Sequence, residues 1–243
     1  DGIIPSAEIV AWHDHMSTYL KEIDPFDHFT TTSISHRDLE GLNSVKDLDI
    51  NQKHIYNATA SVPGTILSYS EKFGKPYIIG ECGYEWDWSK NFDDFADGMG
   101  MDFRRGLWYG VFNGTPVTPM SWWWEYFENR NMIPYIRNAR YISDMMLEAG
   151  EGTFEVLETA RNGKQETYVV RCGKKTFIYL YNGSDTVFDT VEIAFGKTGK
   201  VRISRLDTDK VKLGKAYKSD AEGSLKLEGL SLQPLEEAVL VVE

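Results

Sequence analysis

The segment Lys75–Gly83 constrains this chain most, because an apolar run ends there in a single carboxylate. Its residues are Lys-Pro-Tyr-Ile-Ile-Gly-Glu-Cys-Gly, and the carboxylate is Glu81. Such a run is typical of a strand that is buried on both faces in a parallel sheet. A charge at the end of that strand is costly unless the end opens into a site, as the carboxyl ends of strands do in α/β barrels. Glu81 is therefore the first candidate for a functional residue.

Strands and helices are predicted to alternate through the first 150 residues. The helices are predicted from apolar residues at helical spacing, and the strands from short β-rich runs between them. Four such repeats indicate parallel βα units. The predicted strands are residues 29–33, 53–56, 77–80 and 119–124, and the predicted helices are residues 6–23, 63–73, 92–112 and 132–149.

The pattern changes near Gly150. From Thr153 onwards, short β-prone runs are separated by turn dipeptides, and Asn162-Gly163 and Asn182-Gly183 are predicted to be hairpin turns. We therefore predict two domains: an α/β domain over residues 1–150, and an all-β, sandwich-like domain over residues 151–243.

Charge and composition exclude several classes of partner. The net charge is −11, of which residues 1–150 carry −10 and residues 151–243 carry −1. An acidic first domain argues against nucleic acid, whose binding requires a basic surface. No apolar run approaches the ~20 residues that cross a bilayer, so no membrane partner is expected. Cys82 and Cys172 show no metal-ligand spacing, and we expect neither a metal nor a cofactor.

Read in order, the predicted strand ends resemble the second half of a known barrel family. Glu81 between two glycines looks like the seventh strand of the clan A retaining glycoside hydrolases, the cellulase- and mannanase-like barrels, with its nucleophile. His54-Ile55-Tyr56 is similar to the His-x-Tyr at the end of their sixth strand. Ser121-Trp122-Trp123-Trp124 resembles the eighth strand with its substrate platform, and Asp24-Pro25 before Thr31-Thr32-Ser33 resembles the approach to the fifth.

This resemblance implies that the fold is a (β/α)8 TIM-barrel portion, about strands 5 to 8, followed by the β-sandwich domain. It implies retaining hydrolysis of β-linked bonds in an oligo- or polysaccharide, in an extracellular or periplasmic location. The general acid/base of the clan is a Glu at the end of the fourth strand, which is expected upstream of Asp1 together with the amino-terminal half of the barrel. The 243 residues alone are then expected to be inactive.

The resemblance also assigns roles around Glu81. Tyr56 is expected to donate a hydrogen bond to this nucleophile, and His54 to contact sugar hydroxyls or to tune the pair. Trp122 or Trp124 is favoured over Trp123 as the floor of the sugar subsite, because side chains alternate along a strand. The loops after the strands contribute further substrate-binding candidates, which are His36, Trp86 and Glu125.

Several other interpretations stay open at this point. Glu81 can instead be the partner of a buried Arg or Lys, His54 can be a core histidine, and the tryptophan run can be core packing. The chain can also be a non-catalytic glycan-binding protein on a degenerate barrel, or a barrel enzyme of unrelated chemistry, because a fold does not determine a function.

Overall fold

The computed structural model describes residues 4–34, 38–85, 91–194, 199–206, 211–218 and 223–243. The chain divides into two compact units, Asp1–Phe127 and Glu128–Glu243. The boundary between the units lies after Phe127, so the helix predicted at residues 132–149 falls in the second unit. The domain boundary predicted after residue 150 stays a prediction, because a division by compactness does not define where a barrel portion ends.

The first unit is built from helices around a short parallel sheet. Its apolar core includes Ile66, Ile79 and Phe112, which are all fully buried. Among the described residues, no helix is long and apolar enough to cross a membrane. The helices are α1 (Ser6–Ile23), α2 (Val62–Phe73), α3 (Ala96–Phe112) and α4 (Trp124–Glu128), with 3₁₀ turns at Leu42–Ser44, Thr59–Ser61 and Phe92–Phe95; the strands are β1 (Asn51–Tyr56) and β2 (Tyr77–Gly83).

Strands β1 and β2 pair in parallel, and helix α2 connects them. The predicted strand at residues 29–33 is reduced to one parallel bridge, between Thr31 and Ile50. On the other side of the sheet, the backbone N–H of Cys82 donates to the carbonyl of Met120 over 2.8 Å. Two of the four predicted strands are thus present as β1 and β2. The segment of Thr31 lies at the outer edge on the β1 side, and the segment of Met120 lies at the outer edge of β2.

The strand predicted at residues 119–124 is wrong. Residues 122 and 123 form a turn, and helix α4 begins at Trp124. The hydroxyl of Ser121 accepts a hydrogen bond from the backbone N–H of Trp123 over 3.2 Å. A serine that bonds to the backbone two residues ahead offers an alternative to the β ladder, and it turns the chain here.

Two glycines of helix α3 allow close packing, Gly106 against β2 and Gly110 against the segment of Thr118 and Pro119. A Cβ atom on Gly106 would lie 2.8 Å from the sulfur of Cys82, and one on Gly110 would lie 2.2 Å from Cδ of Pro119. The glycines that interrupt the helical pattern in the sequence therefore allow a close approach of the helix to the strand and to the segment after it.

The second unit contains helix α5 and two antiparallel sheets. A six-stranded sheet has the order β3-β4-β5-β10-β7-β8, and β6 pairs with β9. Side chains of both sheets, among them Ile178, Leu240 and Leu225, share one apolar core cluster. The elements are α5 (Ile133–Gly150), β3 (Glu155–Asn162), β4 (Gln165–Cys172), β5 (Lys175–Asn182), β6 (Phe188–Ala194), β7 (Lys200–Leu206), β8 (Val211–Lys218), β9 (Ser224–Leu232) and β10 (Glu237–Val242).

One of the two predicted hairpins is present. Asn162-Gly163 joins β3 to β4, and Gly163 has a φ of 63°, a conformation that favours glycine. The hairpin predicted at Asn182-Gly183 is wrong, because β5 pairs with β4 and β10 whereas β6 pairs with β9. The side chain of Asn182 is buried there and donates to the carbonyls of Thr186 and Leu232. It therefore anchors a crossing between sheets.

We expect Gly110→Ala to destabilise the first unit. Overpacking against Thr118 and Pro119 costs about 1–3 kcal/mol, which exceeds the ~1 kcal/mol that alanine gains in helix propensity. Urea unfolding followed by tryptophan fluorescence measures this unit alone, because all seven tryptophans lie in residues 1–127.

Gly98→Ala on the same helix is the matched control. A Cβ atom at Gly98 meets nothing within 4 Å. This substitution should leave the stability unchanged or raise it by up to ~1 kcal/mol. Equal effects of the two substitutions would show that the close approach at Gly110 does not matter.

Candidate active site

The site begins with an irregularity in the pairing of β1 and β2. Lys53 pairs with Ile79 and His54 pairs with Glu81, so Gly80 is an extra residue on β2. Such a bulge re-aims the side chains that follow it. A Cβ atom on Gly80 would lie 2.2 Å from Oε1 of Gln52 and 3.2 Å from Nε2 of His54. Glycine at position 80 therefore gives these β1 side chains room beside Glu81.

Glu81 receives two contacts on one oxygen. The hydroxyl of Tyr56 donates to Oε2 of Glu81, and Nδ1 of His54 lies 3.1 Å from the same oxygen. The Glu81 side chain is 23% exposed, whereas His54 is buried. Oε1 of Glu81 accepts no hydrogen bond from the described residues. The carboxylate therefore has one anchored oxygen and one that is available for chemistry.

The interpretation of Glu81 as a structural ion-pair partner finds no support. Within the described ranges, no Lys or Arg forms an ion pair with it, and the basic side chain beside it is that of His54. The expected hydrogen bond from Tyr56 and the expected proximity of His54 are both present.

The electrostatics keep Tyr56 a hydrogen-bond donor. Burial raises the pKa of its phenol far above the ordinary value, and the hydrogen bond to Glu81 raises it further. The phenol is therefore protonated throughout the physiological range, and its proton stays available to Oε2.

Ser33 lies beside this site although no sequence motif marks it as a functional residue. Its hydroxyl lies 3.1 Å from Nε2 of His54, so both ring nitrogens of this buried histidine have a partner. Its position in the sequence could have indicated this role, because Ser33 ends the first predicted strand. The carboxyl ends of parallel strands gather at one edge of a sheet, which is where Glu81 also lies.

The loop after β2 is held at the mouth of this site from both sides. From the β1 side, Asn57 donates its backbone N–H to the carbonyl of Gly83, and its side-chain oxygen accepts from the backbone N–H of Glu85. From the other side, the indole N–H of Trp123 donates to the carbonyl of Tyr84 over 2.8 Å. The backbone of Gly83, Tyr84 and Glu85 is thus held on both sides directly after Glu81.

The tryptophans differ in their surroundings. Trp122 and Trp124 are 56% and 59% exposed, and Trp123 is partly buried with its indole bound to the loop after Glu81. The alternation of side chains along a strand had ranked Trp123 below Trp122 and Trp124. That argument does not apply here, because residues 122 and 123 form a turn and not a strand. A sugar-binding role for Trp122 or Trp124 stays a prediction.

The structure says little about the remaining predicted substrate-binding residues, Glu125, His36 and Trp86. Glu125 is exposed on helix α4, and a role in binding stays a prediction. His36 and Trp86 lie outside the described residues. In the part of the chain that is described, no group of three or more His, Cys, Asp or Glu side chains is arranged to hold a metal ion.

The opposite face of each strand is structural. Cys82 follows Glu81 and is buried against Gly106, and burial raises the pKa of its thiol to about 12. On β1, Lys53 forms an ion pair with Asp38, which also accepts a hydrogen bond from Tyr69. Neither cysteine is in a disulfide. The chemistry of this sheet is therefore confined to the face of His54, Tyr56 and Glu81.

No protein-family model matches the sequence, and no curated protein matches it either. Solved structures of glycoside hydrolases do match its fold. A GH30 endoxylanase from Clostridium papyrosolvens shares 13% identity over 98% of this chain and 60% of its own, with a TM-score of 0.59. A family 30 subfamily 8 xylanase from Clostridium acetobutylicum shares 10% identity over 99% of this chain and 61% of its own, with a TM-score of 0.61.

A third similar structure is the α-L-arabinofuranosidase from Thermotoga maritima in its arabinose complex. It shares 10% identity over 100% of this chain and 63% of its own, with a TM-score of 0.55. The chain thus spans about 60% of the length of these proteins. At such identities the likeness shows the fold, which is the mixed α/β fold of glycoside hydrolases.

Proposed function

We propose that this chain is the carboxyl-terminal portion of a retaining glycoside hydrolase that acts on β-linked bonds of an oligo- or polysaccharide. The observation that carries the proposal is Glu81 at the carboxyl end of a parallel strand, with Tyr56 donating to Oε2, with Nδ1 of His54 beside it, and with no hydrogen bond from the described residues to Oε1. The fold that the chain shares with glycoside hydrolases supports it. The fold class is then a TIM-barrel portion, about strands 5 to 8, followed by a β-sandwich.

Glu81 is the nucleophile in this proposal. Its Oε1 attacks the anomeric carbon while the glycosidic C–O bond breaks, and a general acid protonates the departing oxygen. Water then attacks the anomeric carbon of the glycosyl ester and gives its proton to the same group, which now acts as a base, while the bond between this carbon and Oε1 breaks and releases the Glu81 carboxylate. Tyr56 and His54 hold Oε2 throughout, so that the reacting oxygen keeps one direction.

The second carboxylic acid must lie about 5 Å from Glu81 in a retaining site. We assign it to a Glu in the amino-terminal half of the barrel, which is the partner that this proposal requires. We further propose that His36, Trp86, Trp122, Trp124 and Glu125 bind the sugar, that His54 tunes Glu81, and that Trp123 supports the backbone after Glu81. We also propose that the enzyme is extracellular or periplasmic.

The first unit carries a surface that fits such a partner. We call it the α1 groove: a cavity of about 320 Å³ between helix α1 and residues 30–33, lined on the helix side by Trp12, His13, Met16, Ser17 and Leu20. Trp12 is 58% exposed, and Ser17 is the buried residue of this 18-residue helix. An amphipathic helix gains most of its stability from burying its apolar face. Val10 of α1 packs against the cluster of Leu42, Val45 and Leu48, but within the described residues Trp12 and Leu20 on the groove side stay exposed.

The connectivity predicts what covers the groove. Helix α1 leads into residues 30–33, which bridge to Ile50 just before β1 and have no further strand partner among the described residues. A parallel strand placed before α1 would lie on the other side of residues 30–33, because strand–helix–strand connections are right-handed. The buried hydroxyl of Thr32, which lines the groove and has no partner in the described part of the chain, would then face polar backbone.

We expect Glu81→Gln to abolish turnover in the complete enzyme while it preserves sugar binding. An amide cannot form the glycosyl ester, so kcat should fall by at least about 10³-fold, and the dissociation constant for an oligosaccharide should change little. Steady-state kinetics and calorimetric titration on a panel of β-glycans measure the two quantities.

Glu85→Gln is the matched control, since Glu85 is exposed and contacts Asn57 rather than the reacting oxygen. It should keep most of the activity. Wild-type turnover in Glu81→Gln would make the nucleophile assignment wrong, and glycan binding without turnover in the wild type would identify a degenerate barrel.

Tyr56→Phe should lower kcat by about 10- to 100-fold, because the carboxylate loses the donor that directs its oxygens and a small misplacement is costly. Tyr69→Phe is the control for removing a phenol that donates to a carboxylate. Tyr69 donates to Asp38 on the opposite face of the sheet, with its pKa raised to about 12 by burial and by that bond. Equal losses of kcat in both variants would argue against a directing role for Tyr56.

The 243-residue chain alone should self-associate or retain a second polypeptide, because the α1 groove and the adjoining edge are uncovered. Sedimentation velocity, with intact mass of the denatured sample, measures both. Trp12→Ser with Leu20→Ser should reduce the association, whereas Leu147→Ser, an exposed residue of helix α5, should not. A stable monomer with a single mass would contradict the proposed partner.

A further inference from the structure

Three predicted strand ends contribute to one series of close polar contacts, in which Ser33 and His54 share a hydrogen bond and His54 and Glu81 lie at ion-pair distance. Ser33 comes from the edge of the sheet, His54 from β1 and Glu81 from β2. The hydroxyl of Ser33 lies 3.1 Å from Nε2 of His54, and Nδ1 of the same ring lies 3.1 Å from Oε2 of Glu81. His54 is buried, so its two nitrogens depend on these partners.

The partners dictate where the protons lie. An ionised carboxylate only accepts hydrogen bonds, so Nδ1 of His54 must carry a proton toward Glu81. In the neutral ring, Nε2 is then an acceptor, and the hydroxyl of Ser33 must donate to it. If Ser33 accepted a hydrogen bond from Nε2 of a neutral ring, Nδ1 would carry no proton. Two hydrogen-bond acceptors, Nδ1 and Oε2 of Glu81, would then lie 3.1 Å apart, which is unfavourable.

We propose that Ser33 is a positioning residue that fixes His54 as the Nδ1–H tautomer, which places a protonated nitrogen and not a bare one beside Oε2 of Glu81. The inference rests on the proposed function for its meaning, since it assigns to Ser33 the orientation of a group that holds the nucleophile. Its geometry does not depend on that function.

A serine suits this position for a chemical reason. A hydroxyl donates to a neutral ring, and it rotates to accept from a protonated one. The ring therefore keeps its orientation in either charge state, and Oε2 of Glu81 keeps its donor. Partners that hold the second nitrogen of a functional histidine commonly fix its tautomer and its orientation in this way.

The experiment is nitrogen NMR of the histidine side chains in the 243-residue chain, at a pH where the His54 ring is neutral. The chain has five histidines, and the His54 signals are assigned by their loss in His54→Gln. We expect a protonated Nδ1 and a bare Nε2. In Ser33→Ala, the Nε2 signal should shift toward that of a protonated nitrogen, because the ring can turn over or change tautomer. Ser33→Thr, which restores the hydroxyl, should restore the wild-type shifts.

Two internal controls accompany these variants. Thr31→Ala removes a hydroxyl from the same segment that donates to the carbonyl of Ile50, and it should leave the His54 shifts unchanged. His13, whose Nδ1 lies 2.8 Å from the carbonyl of Ile9, should be unchanged in every variant.

A protonated Nε2 with a bare Nδ1 in the wild type, or identical shifts in wild type and Ser33→Ala, would overturn the inference. The readout needs no substrate. A failure of glycoside turnover would therefore leave this result untouched, and a failure here would leave the role of Glu81 to be judged by its own variant.

Discussion

The charge of Glu81 is the constraint on which the rest of the first unit depends. A carboxylate at the end of an apolar strand is stable only if donors replace the water that it loses. The donor Tyr56 and the neighbouring ring of His54, whose Nδ1 lies 3.1 Å from Oε2, both come from β1. Their reach depends on the register of the two strands, and this register contains one extra residue, Gly80. A side chain at that position would displace Gln52 and crowd His54. The nucleophile candidate, its donors and a glycine thus form one geometric unit.

The opposite face of β2 meets an equally narrow requirement. Glu81 faces its donors, and Cys82 turns its sulfur to helix α3 at the position of Gly106. One turn further along α3, Gly110 lies against Thr118 and Pro119, which lead to the backbone carbonyl that accepts from Cys82. The helix therefore holds both the strand of Glu81 and the segment beside it. Gly106 and Gly110 lower the intrinsic helix propensity of α3, but they also permit its close packing against Cys82 and Pro119.

Sequence reasoning succeeded where the signal was local and strong. The helix at residues 6–23, the strand of Glu81 and the hydrogen bond from Tyr56 were all expected and are all present. It failed where side chains redirect the backbone. Ser121 turns the chain, so the alternation argument that favoured Trp122 and Trp124 had no strand to act on. The bulge at Gly80 also has no signature in periodicity, since a glycine in a strand predicts a close approach without saying to what.

Ser33 connects two parts of the molecule that the sequence presents separately. Its hydroxyl contacts His54, and the same residue lines the α1 groove beside Thr32. On the proposal that a parallel strand fills the groove, the segment that carries Ser33 changes from an edge held by one bridge to an inner strand paired on both sides. An inner strand loses the freedom of an edge, and Ser33 then holds the His54 ring more rigidly. Closing the barrel would therefore supply the second carboxyl group and also order the donors of the first.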